Sequence, residues 1–220
     1  MDFQSKLDNI LEDIDKNNRP LLFLHCCCAP CSSYVLEYLN EYFDIIVYFY
    51  NPNIDTEEEY YKRARELEMF VGKSGVKISD LIIEDYNHNE FLTAIKGHEN
   101  EKEGSDRCKK CFELRLKKTL ETVIQYLWTG KKTPTEKIYF CTTLSISPLK
   151  NAAVINEIGN LLANAYKEKD GDMDIDFLPS DFKKKEGYKR SCELSKEYGL
   201  YRQDYCGCEF SKSGRVNDNI

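Results

Sequence analysis

Five short apolar runs punctuate an otherwise charged chain. They are Leu21-Leu22-Phe23-Leu24-His25, Asp44-Ile45-Ile46-Val47-Tyr48-Phe49-Tyr50, Asp80-Leu81-Ile82-Ile83-Glu84, Lys137-Ile138-Tyr139-Phe140-Cys141-Thr142 and Ile175-Asp176-Phe177-Leu178-Pro179. The runs are continuous rather than alternating, which predicts strands buried on both faces. Helical periodicity fills the gaps. Residues 4–17 read as an amphipathic helix ending before Asn17-Asn18-Arg19-Pro20, and residues 31–41 as a second helix. Asn51-Pro52-Asn53 breaks the second strand. Thr56 then caps a charged helix to about Met69, with Glu59 placed for a capping box. Helices follow at 88–97 and at 109–127, where Leu116, Leu120, Val123 and Leu127 share an apolar face. Residues 97–104 read as a polar, mobile loop. Ser147-Pro148 reads as an N-cap and first helical residue of a helix running to about Tyr166, and the last helix spans 187–198.

Strands alternating with helices predict an α/β chain with a mainly parallel sheet flanked by helices and a helical C-terminal part. The expected division is an N-terminal helix (1–20), a single α/β catalytic domain (21–210) and a polar tail (211–220). Ligands of such sheets bind beyond the carboxyl ends of the strands. The loops after the first and fourth strands, residues 26–33 and 143–147, therefore mark the expected active edge.

At 220 residues and 41% hydrophobic content the chain can bury one core. No segment reaches the roughly 20 apolar residues of a membrane span, and Met1-Asp2-Phe3-Gln4-Ser5-Lys6-Leu7-Asp8 has no apolar signal core. The expected location is the cytoplasm, where thiols stay reduced and clustered cysteines are metal ligands or catalytic groups. A net charge of −7 excludes a globally basic nucleic-acid binder. Two local basic patches stand out, Arg107, Lys109, Lys110, Arg115, Lys117 and Lys118, and Lys183, Lys184, Lys185, Lys189 and Arg190 followed by Arg202. Either reads as a solvated helix face or as a surface for a polyanion.

The ten cysteines carry the chemistry. Eight of them form three tight groups: His25-Cys26-Cys27-Cys28-Ala29-Pro30-Cys31, Arg107-Cys108-Lys109-Lys110-Cys111 and Tyr205-Cys206-Gly207-Cys208. Thiolates are soft ligands that select zinc or iron–sulfur clusters. Adjacent Cys27 and Cys28 are expected to diverge and so suit separate corners of a four-iron cluster, with Cys108 and Cys111 completing a four-thiolate set. A helix opening near Lys109 would favour thiolate there. Spacing alone equally allows zinc on Cys28, Cys31, Cys108 and Cys111. The glycine of Cys206-Gly207-Cys208 lets the backbone close a strained, oxidising disulfide; the alternative is two free thiols. Cys26 has no expected ligand role, and Cys141 and Cys192 read as small buried residues. His25 suits a hydrogen bond behind the site or a satisfied core position, while His88 and His98 read as surface residues.

Taken together, these motifs resemble the QueH-type, cobalamin-independent epoxyqueuosine reductases. The resemblance is carried by His25-x-Cys27-Cys28-Ala29-Pro30-Cys31, by Arg107-Cys108-x-x-Cys111-Phe112 with Arg115, by Thr142-Thr143-Leu144 with Ser147-Pro148-x-Lys150, and by Tyr201-Arg202-Gln203-Asp204-Tyr205-Cys206-Gly207-Cys208. It implies a Rossmann-like sheet of the adenine-nucleotide α-hydrolase type. It implies a 4Fe-4S cluster on Cys27, Cys28, Cys108 and Cys111, an additional iron for which Cys31 is the candidate ligand, and a redox-active Cys206–Cys208 pair, without cobalamin. The implied substrate is tRNA carrying epoxyqueuosine at the anticodon wobble position. Its epoxide would be reduced to the cyclopentene of queuosine in the last step of that synthesis, with electrons from a donor the sequence does not identify. The basic patches would then track the anticodon-loop backbone, with Tyr188 and Tyr201 stacking on bases. Tyr205, Asp204 and His25 are proton-donor candidates by position only. No membrane partner is expected.

Two other readings compete. An ATP-dependent tRNA-thiolating enzyme on a related fold needs a Ser-Gly-Gly-x-Asp-Ser loop after the first strand. That place here holds Cys26 to Ser33 and no glycine. A zinc-stabilised RNA-binding module would be colourless and indifferent to loss of Cys206 and Cys208.

Overall fold

The computed structural model describes residues 2–129, 137–170 and 173–216. In chain order the elements are α1 (Phe3–Glu12), β1 (Leu21–His25), α2 (Ala29–Leu39), β2 (Asp44–Phe49), α3 (Glu57–Ser74), β3 (Asp80–Ile83), α4 (His88–Ala94), α5 (Asp106–Trp128), β4 (Ile138–Thr142), a 3-10 turn (Thr143–Ile146), α6 (Ala152–Asp170), β5 (Ile175–Phe177), α7 (Gly187–Glu197) and α8 (Glu209–Val216). The five strands form one all-parallel sheet in the order β3-β2-β1-β4-β5. This is the expected α/β architecture with a Rossmann-like sheet.

Continuous apolar strands bury both faces of the sheet. Leu22 and Leu24 of β1 join Ile45, Val47 and Phe49 of β2 in a core closed by α1, α2 and α3. Leu21, Phe23 and Ile46 face a second core with Leu116, Leu120 and Val123 of α5 and Ile155 and Ala163 of α6. In register, His25 at the end of β1 lies beside Tyr48 and Thr142. The strand order reverses between β1 and β4, so the chain leaves these two strands in opposite directions and opens a crevice at their carboxyl ends.

Local chemistry moved some boundaries. Thr56 caps α3, its hydroxyl accepting from Glu59 N at 3.3 Å, but the Glu59 carboxylate turns to Arg63 and Tyr201 and leaves the capping box half made. Ser147-Pro148 does not open α6. Its hydroxyl accepts from Leu149 N and its carbonyl from Lys150 N, closing an isolated turn. Asn151 caps instead, accepting from Ala153 N at 2.9 Å. The loop at 97–104 is organised by Arg107, which donates to the carbonyls of Glu99 and Glu101. Beyond α7 the chain folds back over the carboxyl edge, with Leu200 in the first core and α8 forming where only a polar tail was expected. Residues 217–220 of that tail lie outside the described residues. No described helix is long and apolar enough to cross a membrane.

Candidate metal and redox site

The first cysteine group fills the crevice. Cys28 is extended (φ −174°, ψ 162°) and directly precedes α2, whose first turn contains Pro30. Asn51 at the end of β2 fixes this loop, its amide donating to Cys26 O at 2.9 Å. From the β4 side, the Thr143 hydroxyl accepts from Cys27 N at 3.2 Å. The result overturns the expected divergence of neighbouring thiols: Cys27 and Cys28 sulfurs are 3.9 Å apart. With Cys31 added, three sulfurs lie within 4.8 Å of one another, and the three could hold a metal ion.

Charge in this group is unevenly shared. Hydrogen bonds from Cys28 and Cys31, helped by Lys150 and Thr143, hold the Cys27 thiol well below its usual range. The same contacts push Cys28 up to about 12 and Cys31 well above the ordinary thiol value. The group alone supports one thiolate flanked by two thiols. Three thiolates need a cation among them, which is what a soft metal supplies.

The second and third groups meet one another. Cys111 and Cys208 pack in a small apolar cluster with Phe91 and Ile95. Cys108, Cys111, Cys206 and Cys208 line a cavity of about 80 Å³. A larger cavity of about 370 Å³ is lined by Cys27, Cys31 and Cys206 together with Arg63, Lys150, Arg202 and Gln203. Cys206, Arg115, Lys150 and Leu149 line both, so the two cavities share a wall. The helix-dipole expectation for the second group fails: burial pushes Cys108 up and Cys111 up to about 12. Desolvation outweighs the opening turn of α5. All ten cysteines are free thiols in this structure.

Three cations surround the sulfurs. Arg115, a member of the first basic patch and of the motif around Cys108 and Cys111, is buried rather than on a solvated helix face. Its Nε donates to Cys111 O at 3.3 Å, its Nη1 to Asn51 Oδ1 at 3.4 Å, and its Nη2 is buried without a partner. Arg63 is buried on α3, pairing with Glu59 at 2.7 Å and donating to Cys206 O at 3.3 Å, again with Nη2 unpartnered. Nothing in its helical sequence context distinguished it from Arg65. Burial pulls the Lys150 ammonium down, but the thiols of Cys206, Cys27 and Cys31 outweigh this and raise it. Unpartnered buried guanidinium N–H groups are costly. Beside a set of soft sulfur donors they fit an anionic thiolate-bound metal group.

Other expected residues settle elsewhere. His25 is fully buried, with Nε2 on Tyr50 O at 3.0 Å and Nδ1 on the Thr142 hydroxyl at 2.8 Å. The Tyr50 carbonyl can only accept, which fixes the Nε2–H tautomer. Burial and the nearby Arg115 charge bring its pKa down to about 4. It is a neutral pillar between strands and offers no proton to the cavity. Cys26 is buried in the first core, and Cys141 is buried with its sulfur 3.3 Å from Leu178 O. Cys192 is half-buried rather than buried. His88, expected at the surface, bridges Pro52 O and Glu209 and ties α8 to the β2 loop. Arg107 is also buried, so the first basic patch reduces to its lysines. Tyr188 is exposed at the rim of the larger cavity with the Arg202 guanidinium 5.9 Å from its ring, whereas Tyr201 is tied to Glu59 and Lys62.

Residues 22–214 match the family model described as Epoxyqueuosine reductase QueH. The chain belongs to the QueH family. It is 42% identical over 196 residues to the epoxyqueuosine reductase QueH of Streptococcus pyogenes serotype M1, covering 88% of this chain and 71% of that protein. It is 41% identical over 199 residues to the protein of the same name from Staphylococcus epidermidis, covering 88% and 76%. It is 32% identical over 190 residues to that of Thermotoga maritima, covering 86% and 89%. The matched span of the QueH family model includes all three cysteine groups and Arg63, Arg115 and Arg202 of the larger cavity.

Proposed function

We propose that this chain is an epoxyqueuosine reductase acting on tRNA that carries epoxyqueuosine at the wobble position of its anticodon. The observation that carries this reading is the meeting of three separate cysteine groups at one sheet edge, in a chain of the QueH family. Converting an epoxide to an alkene takes two electrons and two protons and releases water. A dithiol closing to a disulfide supplies the same count. Cys206 and Cys208 are the proposed redox pair.

Cys27, Cys28, Cys108 and Cys111 would hold the 4Fe-4S cluster, with Cys31 beside it as ligand of an additional iron. The grouping of Cys31 with Cys27 and Cys28 supports its inclusion. When bound, such a centre supplies one-electron transfer and a site of positive charge toward an epoxide oxygen. The chain's own residues then have defined tasks. Arg63, Arg115 and Lys150 offset the negative charge of the thiolates. Gln203, whose Oε1 is buried without a partner, offers an acceptor to a hydroxyl or amine of the nucleoside in the larger cavity. Asp204 lines the same cavity, while the Tyr205 hydroxyl is engaged with Asp55 Oδ1 at 3.2 Å. Exposed Leu149 and Tyr188 at the rim supply apolar and aromatic surface for the bases of an anticodon loop.

The test is anaerobic purification with iron, sulfide and zinc analysis, followed by incubation with epoxyqueuosine-containing tRNA and mass analysis of the nucleosides. About four irons and four sulfides per chain, or slightly more iron, are expected. Conversion to queuosine and sharply lower iron in Cys27→Ala and Cys111→Ala are expected with it. Zinc without sulfide after reconstitution, and no loss of the epoxide oxygen, would overturn the reading.

A further inference from the structure

The two thiols of Cys206-Gly207-Cys208 occupy different surroundings. Cys206 is half-buried and lines both cavities, including the larger one with its cationic walls. Cys208 is 7% exposed, lines only the smaller cavity and packs against Phe91, Ile95 and Cys111. The peptide between them is anchored. Cys206 O accepts from Asn53 Nδ2 at 3.4 Å and Arg63 Nη1 at 3.3 Å, and Gly207 O accepts from Asp55 N at 3.0 Å. Cys208 O accepts from the Ser211 backbone and hydroxyl, fixing its place at the start of α8. Neither sulfur can exchange places with the other without breaking these contacts.

We propose that reducing equivalents reach this chain through Cys206, from a dithiol donor, with Cys208 as the buried partner sulfur. The inference rests on the reading of Cys206 and Cys208 as a redox pair. Exchange requires a thiolate to approach a disulfide sulfur, and of the two only the less buried Cys206 lines the larger cavity. Arg63, Arg115, Lys150 and Arg202 line that cavity against the two carboxylates of Glu103 and Asp204, and the positive balance attracts a thiolate. The donor thiolate bonds to Cys206 Sγ, the Cys206–Cys208 bond breaks, and Cys208 leaves as a thiolate that takes up a proton. The donor's second thiol then attacks its own sulfur in the mixed disulfide, which frees and protonates Cys206. The donor departs as a disulfide. Two electrons and two protons have entered, the number that epoxide reduction consumes. A second thiol in the same donor completes the exchange without another encounter in the cavity.

Cleavage after Arg202 and Lys212 isolates residues 203–212, which contain these two cysteines and no other. Oxidised wild-type protein should yield this peptide with an internal disulfide; its absence would sink the redox-pair reading itself. With glutathione disulfide under native conditions, Cys208→Ser should gain an adduct on Cys206 about tenfold faster than Cys206→Ser gains one on Cys208. Brief alkylation of reduced wild-type protein, mapped within the same peptide, should mark Cys206 first and does not depend on either variant folding. Equal rates, or faster reaction at Cys208, overturn the assignment of Cys206. Dithiothreitol should reduce the oxidised protein faster than a monothiol at equal thiol concentration, and equal rates overturn the dithiol donor.

Discussion

A single residue shows how tightly the site is built. Gly207 sits at φ +112°, and a Cβ there would come 3.0 Å from Ile54 Cγ1 and 3.2 Å from Arg63 Nη1 and Asn53 Nδ2. Alanine would add backbone strain of about 1–3 kcal/mol and push apart the groups that grip the Cys206 carbonyl. The expected result for Gly207→Ala is faster hydrogen exchange across residues 203–212 and a melting temperature lower by a few degrees. Unchanged exchange would mean that the peptide is held by something else. The motif spacing made this glycine visible as a hinge between two cysteines. It did not show that Asn53 and Arg63 are the partners, because Asn53 lies 153 residues from Cys206 in sequence. The same limit applies to Arg115, whose neighbours in sequence are as basic as any surface helix.

Among the elements, β5 was legible from a short apolar run, yet its fastening was not. Asp176 receives Lys137 from the start of β4 and Lys167 from α6, each at 2.6 Å. Burial raises the Asp176 carboxyl, but the two ammonium groups outweigh it and hold it below its usual range. A depressed carboxyl stabilises the fold fully at neutral pH. That contribution declines as pH falls toward the ordinary value of 3.8 and is lost below the folded value. Both lysines are partly exposed, so the pairs together are worth about 1 kcal/mol after solvent screening. Urea unfolding of Asp176→Asn should show a deficit of that size at pH 7 that closes in acid. A deficit constant across pH would assign the effect to packing. The Ser147-Pro148 misreading also belongs to this scale: Ser-Pro closed a turn as its chemistry allows, but Asn151 was better placed to cap α6.

For the whole molecule, a net charge of −7 must still admit a polyanion if the substrate is tRNA. Much of the second basic patch is engaged internally, Lys185 with Asp8 and Arg190 with Glu37. The cations left facing the larger cavity, Arg202 among them, become the expected phosphate contacts. Binding of an anticodon stem-loop should weaken steeply with salt. Arg202→Ala should lower the slope of log affinity against log salt by about one phosphate's worth. A slope unchanged by this variant would place the RNA elsewhere. The sequence by itself determined the parallel sheet, its helices, the crevice after β1 and β4, and the three cysteine groups. Each is written in local periodicity or close spacing, which a chain cannot hide. Only the tertiary structure decided that Cys27, Cys28 and Cys31 converge, that Arg63 and Arg115 are buried beside them, and that Cys206 lines the larger cavity while Cys208 does not. Those facts depend on contacts between residues far apart in the chain, where burial and competing hydrogen bonds, rather than neighbours in sequence, set each side chain's place.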